Sequence, residues 1–305
     1  MSPTEQLRFG VDSYSIRFHG WEPSRQLTYL SRWPKFKFAS LSYNGLDALQ
    51  TLNSSKSLVI SIGPAFQKRS EGYIPNWETV DTVNKLARAG VQQASVYALD
   101  VDLTYEGLSE ALTEHNGFLK AMGHAARDAK VKLSFENHRY MPPALINQIL
   151  AADEAFCLCL DLGNPLASGD DPVQFANEFA RKIAIVHVKD TLIFAKNDRL
   201  FWRSVPLGDG QVPLIEIIKR LQTVNPAIIF LLEISTSRPP EPIDKTIDFL
   251  RSQLPWLPPI AELEALASRA AKYIDRTNGI TAGVQDQEIS HLERSVKWVE
   301  EHFPL

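Results

Sequence analysis

The sequence predicts a closed (β/α)8 barrel followed by a C-terminal helical extension. Three observations lead there. Eight short apolar runs alternate with segments of helical periodicity over residues 1–254, and strands separated by helices imply crossover connections and a parallel sheet. Four of the later runs share one design, an apolar stretch that closes on an acid or an imidazole: Val131 to Glu136, Cys157 to Asp161, Ile183 to His187 and Ile228 to Glu233. Glu136, Asp161 and His187 follow one another at the spacing of a single βα unit, which places them at the C-terminal ends of successive barrel strands. An open doubly wound sheet is the alternative, and no Gly-x-Gly-x-x-Gly follows any strand to support it.

Taken in order, Leu7–Asp12 is a first strand, and Ser13–Trp21 is a polar, aromatic loop. Glu22–Trp33 is a helix, Phe36–Leu41 a second strand, Gly45–Leu52 a helix, and Leu58–Ile62 a third strand stopped by Gly63 and Pro64. After a loop to Pro75, Trp77–Ala89 is helical and ends at Gly90, and Ala94–Leu99 is the fourth strand. Tyr105–Ala129 reads as one long helix with Leu108, Leu112, Phe118, Leu119 and Met122 on one face. Helices at Pro143–Ala151, Val173–Arg181 and Val212–Gln222 separate the last four strands. The longer interval before Glu233 holds a segment, Asp190–Gly210, expected to be a loop. A last barrel helix is expected at Pro242–Gln253. The proline-rich run Leu254–Pro259 then divides the barrel domain, residues 1–254, from an extension, residues 255–305. Helices at Ala261–Tyr273 and Gln285–His302 carry apolar faces (Leu263, Leu266, Ala267, Ala270; Leu292, Val296, Val299). Such faces are expected to pack on the barrel or at a contact in a homo-oligomer.

Composition excludes several classes. The chain has 305 residues, 44% hydrophobic and 22% charged, which is ordinary for a globular protein. A net charge of −4 supplies no field to attract nucleic acid or an anionic membrane. No apolar run is long enough to span a bilayer, and the N-terminus has no apolar signal segment. Cys157 and Cys159 lie on one strand, about 6–7 Å apart in extended backbone. A disulfide there would be strained, so reduced thiols and a cytoplasmic location are expected.

An acid or imidazole at the end of a buried strand is costly unless something pairs with it. Four such ends, Glu136, Asp161, His187 and Glu233, imply a shared divalent cation. The mixed oxygen and nitrogen set suits manganese, with magnesium, cobalt or zinc as alternatives. Around them, His138, Asn164, Lys189 and Asp190 are candidate substrate-binding residues. Lys189 and Asp190 have the further option of pairing with each other. Asp12, Tyr14 and Arg17 follow the first strand and are placed to line the mouth, and His19 and Trp21 to cover it.

The motifs Leu-Ser-Phe-Glu136-Asn-His, Cys-Leu-Asp161-Leu-Gly-Asn-Pro, Val-His187-Val-Lys-Asp and Leu-Leu-Glu233-Ile, with the glycine loop Val205 to Val212, resemble the xylose isomerase-like barrel superfamily. Within it the likeness is to sugar phosphate isomerase/epimerase-type proteins, including ketose 3-epimerases, inosose dehydratases and hydroxypyruvate isomerases. The resemblance covers about Leu7 to Leu254. It implies one divalent metal, held by Glu136, Asp161, His187 and Glu233. It also implies catalysis by Glu136 and Glu233, which remove and return a proton beside a carbonyl through a metal-stabilised enediolate. The implied activity is isomerisation or epimerisation of a small polyhydroxylated keto compound. The alternative is a lyase with the same metal site, of the keto-inositol dehydratase or 3-keto C-glycoside deglycosidase type. This sequence differs from the free-ketose 3-epimerases at three positions. Asn164 stands where they carry His, Ile193 where they carry Arg, and Pro142 where they carry Glu. The DNA-cutting cousins place additional His ligands on strands two to four, where this chain has Ser42, Gly63 and Tyr97.

Overall fold

The computed structural model describes residues 7–43, 56–70, 72–99, 106–138, 141–243, 245–254, 256–276, 279–280 and 282–305. The helix expected at Gly45–Leu52 lies outside them. The first half of the chain runs β1 (Arg8–Asp12), α1 (Pro23–Leu30), β2 (Phe38–Ser42), β3 (Ser57–Ile62), a hairpin of β4 (Phe66–Arg69) and β5 (Gly72–Pro75), α2 (Glu78–Arg88) and β6 (Gln93–Tyr97). Next come α3 (Leu108–Glu114), α4 (Asn116–Ala129), β7 (Lys132–Glu136), α5 (Pro143–Ala152), β8 (Phe156–Asp161), α6 (Asn164–Ser168) and α7 (Pro172–Phe179). The remainder is β9 (Ile183–Val188), β10 (Asp190–Lys196), β11 (Arg199–Val205), α8 (Leu214–Val224), β12 (Ile229–Leu232), β13 (Glu241–Pro242), α9 (Ile247–Gln253), α10 (Ile260–Ala270) and α11 (Ala282–His302). Strands β1, β2, β3, β6, β7, β8, β9 and β12 pair in parallel and close into a barrel, with β12 bonded to β1. That is the (β/α)8 architecture.

The two-residue alternation of the strands builds the site. Outward side chains such as Phe9, Val11, Leu133, Phe135 and Val186 join the large core shared with the helices. Inward side chains Phe38, Val59, Cys159, Ile185, Ile229 and Leu231 form a separate plug inside the barrel. Asp161, His187 and Glu233 each lie two residues beyond a plug residue, so the same alternation points them inward and one layer higher. The register sets Asp161 directly beside His187, whereas Glu136 pairs with the plug residue Cys159 and His187 with the plug residue Leu231, the stagger that tilted barrel strands require. Gly10 lets the plug close: a Cβ there would stand 2.5 Å from Phe38 Cβ and 2.8 Å from Leu231 Cδ2.

Several expected elements take a different form. Ser13–His19 is a 3-10 helix rather than a loop, capped by the Asp12 carboxylate, which accepts the Tyr14 N–H at 2.7 Å. The long helix breaks at His115 (φ −102°, ψ 26°) into α3 and α4. There Asn116 and Gly117 favour helix weakly, and the His115 ring bonds the Tyr73 carbonyl. Asp190–Gly210 is not a loop: β10 and β11 form a seven-pair antiparallel hairpin. Its two-residue turn, Asn197 and Asp198, has φ of 51° and 55°. This is the left-handed pair a tight hairpin needs, and Asn and Asp tolerate it.

Beyond residue 254, α10 packs on the hairpin, with Ala270, Leu266 and Ala267 against Leu192, Phe194 and Val205. The last helix, α11, runs beside the barrel. Just past its end Phe303 meets Phe9 at 5.6 Å between ring centres. Glu293 bonds Tyr29 and Arg32. Helix α9 lies within the span expected for the last barrel helix, with Leu250 in the main core and over Gly169. Both cysteines are free thiols. Among the described residues no helix is long and apolar enough to cross a membrane.

Candidate metal centre

One ligand atom from each of Glu136, Asp161, His187 and Glu233 lies within 4.8 Å of the others, and all four residues are buried. Glu136 and Asp161 end β7 and β8, His187 sits near the end of β9, and Glu233 follows β12 directly. Of the His187 ring nitrogens, Nδ1 is 2.8 Å from Glu233 Oε2 and 3.8 Å from Glu136 Oε1. The approach to Glu233 does not have hydrogen-bond geometry, so Nδ1 is a buried atom with no hydrogen-bond partner. Nε2 faces Cys159 Sγ at 3.5 Å and Asp12 Oδ2 at 3.9 Å. The unbonded nitrogen and three carboxylates converging on it fit a divalent cation held by this quartet.

The surroundings hold the ligands in place. Asp161 Oδ1 accepts the N–H groups of Gly163 (2.8 Å) and Asn164 (3.2 Å). Asn137 clamps the backbone of Asp161, accepting its N–H at 2.6 Å and donating to its carbonyl at 3.1 Å. Lys189 Nζ lies 2.5 Å from Asp161 Oδ2 and 2.7 Å from Glu233 Oε1. Burial alone would raise the Glu233 carboxyl, but Lys189 and His187 outweigh it and hold it well below the usual carboxylate range. Burial likewise opposes a charged His187, yet Cys159, Glu233 and Glu136 hold it well above the usual imidazole range. Asp12 is pushed up to about 6 by burial, against the pull of His187. Counting Asp12, four carboxylates share this buried floor with one ammonium and one imidazole. That excess of negative charge is what a divalent cation would balance.

Above the floor is a cavity of about 210 Å³. His138 and Asn164 line it, His138 lying 5.5 Å from the Tyr97 ring. Asp12 and Tyr14 line it as the sequence suggests. Arg17 pairs instead with Glu288 at 3.2 Å. Lys189 lines it too but is held by Asp161 and Glu233 rather than by Asp190. The Asp190 carboxylate turns away onto the glycine loop, accepting the N–H groups of Gly208 and Gly210 at 2.9 Å and of Val212 at 3.2 Å. The physical reason is direction: Asp190 begins β10, and the loop's amides converge on it. His19 and Trp21 stack at 4.4 Å beside α11, where His19 meets the Gln285 carbonyl.

Five further cavity residues were not found from the sequence: Ser61 on β3, Trp202 and Ser204 on β11, and Ser235 and Arg238 after β12. For Trp202 and Ser204 the available signal was the pair of apolar, β-prone runs, Leu192–Ala195 and Leu200–Trp202, on either side of Asn197 and Asp198, which marks a hairpin.

The family model described as Xylose isomerase-like TIM barrel matches residues 86–253, more than half of the chain. A putative L-ribulose-5-phosphate 3-epimerase, SgbU, of Escherichia coli (strain K12) is 27% identical over 158 residues. These are 49% of this chain and 54% of that protein, so the chain matches about half the length of this curated relative. Among solved structures, D-allulose 3-epimerase from Methylomonas sp. superimposes with a TM-score of 0.61 at 11% identity, covering 98% of each chain. A xylose isomerase-like TIM barrel protein from Mycobacterium smegmatis, in complex with magnesium, gives a TM-score of 0.57 at 15% identity, covering 84% of this chain and 97% of that one. At such identities the structural likeness shows the fold alone.

Proposed function

Because this chain belongs to the xylose isomerase-like TIM barrel family, we propose that it is a divalent-metal-dependent isomerase or epimerase of a small polyhydroxylated keto compound. The observation that carries this reading is the convergence of Glu136, Asp161, His187 and Glu233 at one end of the barrel, beneath a polar cavity. The 3-epimerase named in the curated relative supports the reaction class. The magnesium in the mycobacterial structure supports a hard divalent ion, and manganese suits the same ligands.

Glu136, Asp161, His187 and Glu233 would hold the ion, which when bound draws electron density from the substrate carbonyl and acidifies the neighbouring C–H. Glu136 and Glu233, on strands separated by β8 and β9, reach the reacting carbon from different sides. One carboxylate takes the proton, leaving its electron pair on the substrate, and a proton returns from a carboxylic acid. Return to the same carbon from the opposite side inverts it; return to the former carbonyl carbon moves the carbonyl along the chain. Lys189 pairs with both Asp161 and Glu233 and fixes their direction. His138 and Asn164, facing the same cavity, hold substrate hydroxyls.

The test is to strip the protein with a chelator, restore manganese, and incubate it in deuterated water with a panel of ketoses, ketose phosphates and keto-inositols. Stoichiometric metal, solvent label beside the carbonyl and a product of unchanged mass (apart from the label) are expected. Loss of water or of an aglycone would make the enzyme a lyase. Absence of bound metal, or turnover with no solvent label, would remove the reading.

A further inference from the structure

We infer that Arg238 and Trp202 form an anion subsite at the mouth of the cavity, and that the substrate carries a phosphate ester or carboxylate at the end remote from its reacting carbon. The inference deepens the proposed function and rests on it.

The cations near the mouth are not equivalent. Lys189 is enclosed by Asp161 and Glu233, and Arg17 is paired with Glu288. Arg238 lines the cavity, and among the described residues no carboxylate forms a salt bridge with it, Glu233 and Glu241 acting on its charge only from a distance. Its guanidinium donates to the Tyr14 hydroxyl, a neutral partner, and its Nε is buried without an acceptor. Trp202 lines the same cavity at 7% exposure, and its indole N–H also has no acceptor. Ser204 and Ser235 line the same cavity, Ser235 donating to Ser204 at 3.0 Å.

This wall therefore offers N–H donors and a cation with no salt-bridged carboxylate, beside the hydroxyls of Tyr14, Ser204 and Ser235. A sugar hydroxyl can use those N–H groups and hydroxyls, but it leaves the cation unneutralised. A phosphate or carboxylate brings only acceptors and a negative charge, and it matches both features. Position agrees with this. Glu136 and Glu233 claim the reacting carbon at the floor, whereas Arg238 is only half-buried, and its partner Tyr14 belongs to the segment after β1 at the rim. An anionic tail pointing outward from the floor reaches that wall while keeping part of its hydration.

Three probes separate the possibilities: ribulose, ribulose 5-phosphate and fructuronate, a ketose with a remote carboxylate. Binding to the manganese-loaded protein is measured by calorimetry, with bound metal determined in every sample. At least one anionic probe should bind about tenfold or more tightly than ribulose, as expected for charge-assisted hydrogen bonds to a guanidinium, and the better of the two identifies the group. Arg238→Met should abolish that preference, leave ribulose binding within about twofold, and leave bound metal unchanged. Trp202→Phe, which keeps the ring and removes the N–H, should lower the preference by a smaller factor, about threefold to tenfold. Equal binding of all three probes, or a preference that survives Arg238→Met, overturns the subsite. If ribulose still acquires solvent deuterium in that case, the proposed reaction stands and only the anion subsite fails. Protein that takes up no metal and binds none of the probes would remove both.

Discussion

The two sides of the cavity are built by different means. Its floor comes from the ends of barrel strands, where Asp161, His187 and Glu233 each sit two residues beyond an inward plug residue and Glu136 ends the strand next to that of Asp161. Its wall comes from the hairpin β10–β11 and the segment after β12, which are braced from outside the barrel. Arg203 on the far side of β11 bonds the Ala270 carbonyl of α10 and pairs with Asp275 at 2.8 Å. From α11, His291 meets Thr236, Ser295 accepts the Leu207 N–H, and Gln287 donates to Ser237. The floor is thus a product of the closed sheet, suited to a fixed chemical step. The wall depends on added elements, which can change without disturbing the ligands. Gly208 illustrates the dependence: with φ of +85° it lies under Trp298 of α11, in a space that has no room for a side chain.

The largest expected effect is on the floor. Glu136→Gln and Glu233→Gln should each lower turnover by at least about 10²–10⁴-fold at saturating manganese, the range typical of lost general acid–base catalysis. Solvent deuterium uptake should fall in parallel. A variant that retains wild-type exchange would take that glutamate out of the proton transfer.

Two aspartates then separate floor from wall. Asp161→Asn should weaken manganese binding by at least about tenfold, since even indirect partners of a metal contribute that much, and metal titration checks it. Asp190→Asn should leave manganese affinity unchanged and cost about 1–3 kcal/mol in urea unfolding, because an amide cannot accept from all the loop N–H groups the carboxylate serves. If Asp190→Asn instead raised the KM with no loss of stability, Asp190 would belong among the substrate-binding residues.

The smallest effect is a pH dependence at the brace. Glu288 of α11 is buried, pairs with Arg17 and accepts the Phe18 N–H at 3.0 Å. Burial pushes its carboxyl up to about 7 from 4.5, against the pull of Arg17 and that N–H. The folded state therefore keeps this proton at a pH where the unfolded chain has released it. The contribution to stability is present below pH 4.5 and is lost as pH rises through 7. Glu288→Gln should remove that slope, a change on the order of 1–3 kcal/mol between pH 4.5 and 7.5. Thermal unfolding of both proteins across this range would measure it, and parallel curves would show that Glu288 does not titrate there.

What the sequence determined by itself was local and periodic. Apolar runs closing on Glu136, Asp161, His187 and Glu233 specified parallel strands, the spacing specified one βα unit between the first three, and alternation specified which side chains share the interior. Strand and helix periods are properties of a few consecutive residues, so they can be read without knowing the neighbours. Tertiary structure decided the rest. Lys189 and Asp190 are adjacent and opposite in charge, yet alternation sends them to different sides, one to the metal ligands and one to the glycine loop. Trp202 and Ser204 join Arg238 in a wall only because a hairpin folds back over the mouth, and α11 and the Phe303 just past it meet Arg17 and Phe9 across nearly the whole length of the chain. Contacts of that kind depend on the closure of the barrel and on which donors and acceptors remain unmatched once it has closed. No stretch of sequence carries that information alone.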